Sequence, residues 1–242
     1  LAEVDVLYHL GFQLWTDRRG AASMEEVNVA GTANVIAGGP RRVVLASSAA
    51  VYGAWPDNPC PLAETDPARP NPECAYAGHK LAVERICRDA AETVSLRVAA
   101  VLGPHADPAV RRAVGGYRLA VPAVSGVQSA LQFLDEADAV AALMATGSAR
   151  GELPPVLNVA PDGWLDAAGV AEVSGGRVLS FPRGVLLRGS QVGHRLRLFP
   201  FGVDRAVLVS GPLALDPTAA AASLGWRATK SSAEVLRSML GR

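Results

Sequence analysis

Four short aliphatic runs, separated by segments of helical spacing, constrain this chain more than any other feature. They are "VDVLYHLG" from Val4, "RRVVLASS" from Arg41, "VSLRVAAVLGP" from Val94 and "PVLNVA" from Pro155. The first two read as strands buried on both faces, and the others as a third strand, stopped by Gly103-Pro104, and a fourth. Between them lie three helical segments. In "SMEEVNVAGTANVIAGG", Met24, Val27, Gly31, Asn34 and Val35 recur at helical spacing, Ser23 is placed to cap the start, and Gly38-Gly39 stops it. "CAYAGHKLAVERICRDAAE" directs Leu81, Ile86 and Ala90 to a core, and "LDEADAVAALMATG" forms the third helix. Strand and helix in alternation predict an α/β fold: a parallel sheet with helices on both faces.

The rest of the chain is less regular. Trp55 to Pro72 holds six prolines and reads as a loop. Asp166 to Leu213 is rich in Gly, Arg and Val and shows no clean period, and two short helices are expected around "LGW" near the end. The expected division is a larger α/β part over 1–165 and a small C-terminal lobe over 166–242, to which 105–130 contribute.

Composition narrows the function. Lys plus Arg equals Asp plus Glu at 23 each, so the chain lacks the basic excess of a nucleic-acid binder. "HRLRLF" at His194 to Phe199 is a local basic patch, read here as a solvated face. Cys60, Cys74 and Cys87 form no CxxC pair, and the four histidines lie far apart, so no disulfide framework and no metal site is expected. No apolar run approaches the roughly 20 residues that cross a bilayer, and the start lacks a signal peptide's basic flank. A cytoplasmic protein with a small-molecule substrate, and neither nucleic acid nor membrane as partner, is the expectation.

The chemistry gathers around two motifs. Ser47 and Ser48 end the second strand, and in parallel sheets ligands bind beyond the carboxyl ends of the strands. Tyr76 and Lys80 are four residues apart on a helix, so they share a face. An ammonium beside a phenol favours the phenolate and lowers its pKa, making an acid/base that works near neutral pH. Alone, this spacing also fits a half-buried tyrosine followed by a solvated lysine.

In combination these motifs resemble the extended short-chain dehydrogenases/reductases, the NAD-dependent epimerase/dehydratase group. "NVAGTANV" is similar to that family's NVxGTxNV helix, "VVLASSAAVYG" to its catalytic-serine strand, and "PECAYAGHKLAVE" to PxSPYGxSKxxxE. "VDVLYHLG" resembles its fourth strand. The resemblance implies a Rossmann-like fold and NAD or NADP as cofactor. It implies hydride transfer at a carbon bearing oxygen, as in an oxidoreductase or epimerase, with a nucleotide sugar as the usual substrate and often a homodimer built on the Tyr76 helix. By position, Ser48 would hold the substrate oxygen and Tyr76 would be the acid/base. Lys80 would lower the tyrosine's pKa and hold the nicotinamide ribose, while Leu10, Gly11 and Asn28 would approach the cofactor.

The departures matter as much. Family members begin with a strand–GxxGxxG–helix unit whose amides hold a pyrophosphate. This sequence contains none, and it opens at the counterpart of the fourth strand, so the expected fold is N-terminally truncated and cofactor binding by the chain alone is expected to be impaired. Ala49-Ala50 stand where dehydratases carry an acidic pair, which argues against dehydration. The competing reading is a non-catalytic remnant that serves as a binding or scaffolding module.

Overall fold

In the computed structural model, residues 4–14 and 21–241 are described. The first strand, β1 (Val6–His9), leads to α1 (Ala21–Glu25), a π-helical turn (Glu26–Ala30) and α2 (Gly31–Ile36). There follow β2 (Arg42–Ser48), α3 (Ala75–Ala90), β3 (Glu92–Val98), β4 (Ala100–Leu102), α4 (Pro108–Gly116) and β5 (Ala120–Val124). Next come β6 (Phe133–Asp135), α5 (Glu136–Ser148), β7 (Val156–Val159), α6 (Ala167–Ser174) and β8 (Arg177–Phe181). The chain ends with α7 (Arg183–Arg195), α8 (Val203–Ala206), α9 (Thr218–Leu224) and α10 (Ser232–Met239).

Among the described residues the main sheet is parallel, in the order β1-β2-β3-β7. The aliphatic runs form it because both faces are covered. On one side Val44, Leu96 and Leu157 pack with Ala142 of α5, Ala220 of α9 and Trp226. On the other, Val43 and Leu45 pack with Ile36 of α2 and Val83 and Cys87 of α3. Val43, Val44 and Leu45 are wholly buried, each contributing roughly 1.5–3 kcal/mol of burial free energy. Away from this sheet, β4 pairs with β6, and β5 pairs with β8, joining residues 120–124 to 177–181.

Two helix faces differ from expectation. Instead of Met24, Val27, Gly31, Asn34 and Val35, the buried stripe is Met24, Asn28, Thr32 and Ile36, and Val27 is exposed. A strict spacing of four is what the π turn imposes, since it lengthens each turn beyond 3.6 residues. On α3 the buried face is Ala77, Lys80, Val83, Glu84 and Cys87, two of them charged; of the expected core residues, Leu81 packs partly buried against the core, Ile86 is half-buried and Ala90 is exposed.

Candidate active site

The paired hydroxyls at the end of β2 point to opposite sides, as strand geometry requires. Ser47 is buried and donates to the Glu84 carboxylate. That carboxylate also pairs with Arg97 of β3 at 2.8 Å. The Arg97 guanidinium lies 4.6 Å from the Tyr52 ring centre, and the Tyr52 hydroxyl donates to Asn158 at 2.9 Å. A closed polar network therefore ties β2, α3, β3 and β7 together under the strand ends, and Glu84 holds Arg97 firmly protonated.

Ser48 faces the crevice. Its hydroxyl oxygen accepts from Ala50 N–H at 3.2 Å, capping a short 3-10 turn (Ala49–Tyr52), and it stands close enough to the Tyr76 phenol to pull that group's pKa down. Tyr76 stands in the first turn of α3, with Lys80 one turn beyond it. Lys80 is only 4% exposed. Its Nζ donates to the Ala46 carbonyl at 2.6 Å and lies 3.7 Å from the Phe12 ring centre, but 5.8 Å from that of Tyr76. Phe12 meets Tyr76 edge to face, centroids 5.5 Å apart. Burial pushes the Lys80 pKa down to about 8, against the opposing pull of Glu84.

The expected lowering of the tyrosine's pKa is not found. Burial pushes the phenol up, and what pulls it back is the neighbouring Ser48 and then the charge of Arg205. The reason is geometric: the Lys80 ammonium is turned onto Phe12 and Ala46, while the Arg205 guanidinium lies 4.3 Å from the centre of the Tyr76 ring. Arg205 also donates to the Leu14 carbonyl at 2.7 Å and pairs with Asp204 at 3.6 Å. It comes from α8, inside the stretch without a legible period, and no motif in the sequence marks it. Leu187 of α7 and Val207 pack with Ala50, Cys74 and Ala77 and against Tyr76, so this part of the chain walls the site.

The remaining expected residues divide. Leu10 and Gly11 are exposed just beyond β1, and the space beside Gly11 is open. Asn28 is buried. Its carboxamide accepts from Gln13 N–H at 2.7 Å and donates to the Gln13 carbonyl at 3.0 Å, so it fixes the segment that carries Phe12. His9 hydrogen-bonds Thr32 at 2.8 Å, and burial followed by the Lys80 charge pushes its pKa down.

Among the described residues Lys80 has one hydrogen-bond acceptor, the Ala46 carbonyl, and an ammonium has three donors. Two further donors fit a vicinal diol, the chemistry of a ribose. The residues thus fit the nicotinamide–ribose half of a dinucleotide. A donor phenol, a second hydroxyl on the same side and a buried cation together suit proton transfer to or from an oxygen whose carbon gains or loses a hydride.

The model of the NAD dependent epimerase/dehydratase family matches residues 1–160. An uncharacterized protein of Mycobacterium tuberculosis is 32% identical over 176 residues, covering 67% of this chain and 46% of that protein. Another from Sinorhizobium fredii is 26% identical over 225 residues, covering 87% of this chain and 56% of that one. The chain therefore spans about half the length of these curated relatives. Among solved structures, MoeE5 in complex with UDP-glucuronic acid and NAD is 22% identical with a TM-score of 0.71, covering 98% of this chain and 78% of that one. A UDP-glucuronic acid 4-epimerase from Bacillus cereus is 17% identical with a TM-score of 0.71, covering 100% of this chain and 76% of that one. These two likenesses show a shared fold.

Proposed function

The chain belongs to the NAD dependent epimerase/dehydratase family, and from that membership we propose that it carries out hydride transfer at a carbon bearing a hydroxyl or carbonyl, on a nucleotide sugar, with Tyr76 as acid/base. One relationship carries the reading: Tyr76 opens α3 close to Ser48 at the carboxyl end of β2, which pulls its phenol's pKa down, with the buried Lys80 one helical turn on. The sugar nucleotides named with both structural neighbours support the substrate class.

Burial keeps the phenol protonated at neutral pH, so its resting role is that of donor. In reduction, Tyr76 gives its proton to the carbonyl oxygen while Ser48 holds the same oxygen. In oxidation, Tyr76 must first lose its proton, and Ser48 and Arg205 are the groups that stabilise the phenolate. NAD or NADP, when bound, supplies the hydride or accepts it. Lys80 would hold its ribose diol, with Leu10 and Gly11 beside it and Asn28 acting through the Phe12 segment. Epimerisation is the two steps in sequence on one carbon. A homodimer through α3 belongs to the same proposal.

The test is product analysis after incubating the chain with NAD and UDP-glucuronic acid or UDP-glucose. Tyr76→Phe is expected to lower turnover by about 10²–10⁴-fold, while calorimetric binding of the nucleotide sugar changes little. Turnover equal to that of the unaltered chain would refute the role of Tyr76. Binding of both NAD and the nucleotide sugar without turnover by the unaltered chain would favour the non-catalytic binding module.

A further inference from the structure

A second surface, away from Ser48 and Tyr76, has a composition unlike the rest of the molecule. Residues 173–203 contain five arginines, one histidine and no carboxylate, in a chain whose charges otherwise balance. The same stretch holds eight of the sixteen large apolar side chains exposed among the described residues. Apolar exposure and positive charge thus concentrate in one eighth of the chain.

The geometry of α7 organises them. Val185 (55% exposed) and Val192 (54%) are seven residues apart, and Leu196 (64%) follows four later, so they form one stripe along the helix. Arg188 and Arg195 flank that stripe on the solvent side, both exposed. Leu187, on the opposite face, is buried against the Tyr76 helix. Beyond the helix the chain turns at Arg197, whose φ is 60°, and presents Leu198 and Phe199, 63% and 52% exposed. The turn is held in place: Leu198 N–H donates to the Gly193 carbonyl at 2.8 Å, and Arg112 of α4 donates to the Leu198 carbonyl at 3.5 Å. Of the five arginines in this stretch, Arg183 alone has an acidic partner among the described residues, Glu73 at 3.3 Å.

We propose that the outer face of α7, with the Leu198-Phe199 turn, seats on an anionic phospholipid surface. An amphipathic helix of this kind lies in the plane of the interface, with aliphatic side chains below the headgroups and arginines reaching back to the phosphates. The contact is peripheral, since no described helix is long and apolar enough to cross a membrane. Charge complementarity selects this occupant. A second copy across a two-fold axis would set arginine against arginine. A nucleic acid would satisfy the guanidiniums but leave the Val185–Val192–Leu196 stripe wet. Since the inner face of α7 packs on the Tyr76 helix, docking would bring the crevice beside the headgroup layer. The inference does not depend on the redox reading.

Flotation of the full chain with phosphatidylcholine vesicles, and with vesicles of phosphatidylcholine mixed with phosphatidylglycerol, tests it. Binding is expected to the anionic vesicles only and to weaken with salt. Arg188→Glu/Arg195→Glu should weaken it on the order of tenfold or more, as should Val192→Ser/Leu196→Ser, with the circular dichroism spectrum unchanged. Should a reversal variant fold poorly, Arg188→Gln/Arg195→Gln provides the same comparison. No binding to anionic vesicles, equal binding by the variants, or binding to an RNA oligomer in place of vesicles would each overturn the proposal.

Discussion

The Arg205 guanidinium lies 4.3 Å from the centre of the Tyr76 ring, and its charge, with the neighbouring Ser48, opposes the burial that raises the phenol's pKa. Arg205→Met removes one of the two groups that favour the phenolate. The phenol's pKa should therefore rise further, and Arg205→Lys should restore part of the difference. Ultraviolet titration of tyrosinate reads this directly, with Tyr76→Phe identifying the transition. If Arg205→Met leaves the Tyr76 transition where it was, the guanidinium has no electrostatic hold on the phenol.

Lys80 makes stability depend on alkaline pH. Its folded pKa is depressed to about 8 from the ordinary 10.5, because burial penalises the ammonium. Below about 8 both folded and unfolded chains hold the proton, and the cost of burying the charge is fully present. Between those values the unfolded chain binds more protons than the folded one, so the Lys80 contribution to stability improves as pH rises. Urea midpoints measured from about pH 7 to about pH 10 should show this upward component, and Lys80→Met should remove it. An identical pH profile in the two proteins would show that Lys80 titrates normally.

Much of this was legible in the sequence because it is written locally. The strand runs, the helix over residues 136–148 and the places of Ser48 at the end of β2 and Tyr76 in the first turn of α3 follow from apolar runs, helical spacing and a motif in fixed order. What was illegible depends on contacts between distant segments. Nothing local announces that Arg205 reaches Tyr76, because the pair is 129 residues apart and α8 is a single turn. The apolar pattern of α3 misled because Glu84 is buried as a charge, a choice made tolerable only by Ser47 and Arg97 on neighbouring strands. The stripe of α1 and α2 shifted because one π turn changed the period, and helical spacing alone carries no sign of it.

Gly53 ends the turn that Ser48 begins, and it sits at φ 69°. A Cβ there would come within 2.5 Å of both the Arg69 carbonyl oxygen and the Trp55 Nε1, which are themselves hydrogen-bonded at 2.6 Å. Gly53→Ala therefore meets both an unfavourable backbone conformation and a clash. It should cost at least about 1–3 kcal/mol in urea unfolding. Gly39→Ala has a similar φ, 70°, but open space around it, and should cost less. Equal costs would mean that the loop yields freely at Gly53.

The Glu84–Arg97 pair should be the most sensitive ion pair among the described residues. Both side chains are almost fully buried, at 5% and 7% exposure, and Glu84 also accepts from Ser47. Glu84→Gln leaves the Arg97 charge buried without its counterion, a change that costs about 3–5 kcal/mol. Arg42 and Glu92 also pair closely, at 2.6 Å, but the Glu92 side chain is 51% exposed. Breaking that pair with Glu92→Gln should cost no more than about 1 kcal/mol. The comparison separates burial from contact distance as the source of the effect. Since Ser47 precedes Ser48 in β2, Glu84→Gln should also loosen the strand end and lower turnover in the assay proposed above. Comparable losses of stability in Glu84→Gln and Glu92→Gln would mean that water reaches the network and that it does not lock the strand ends.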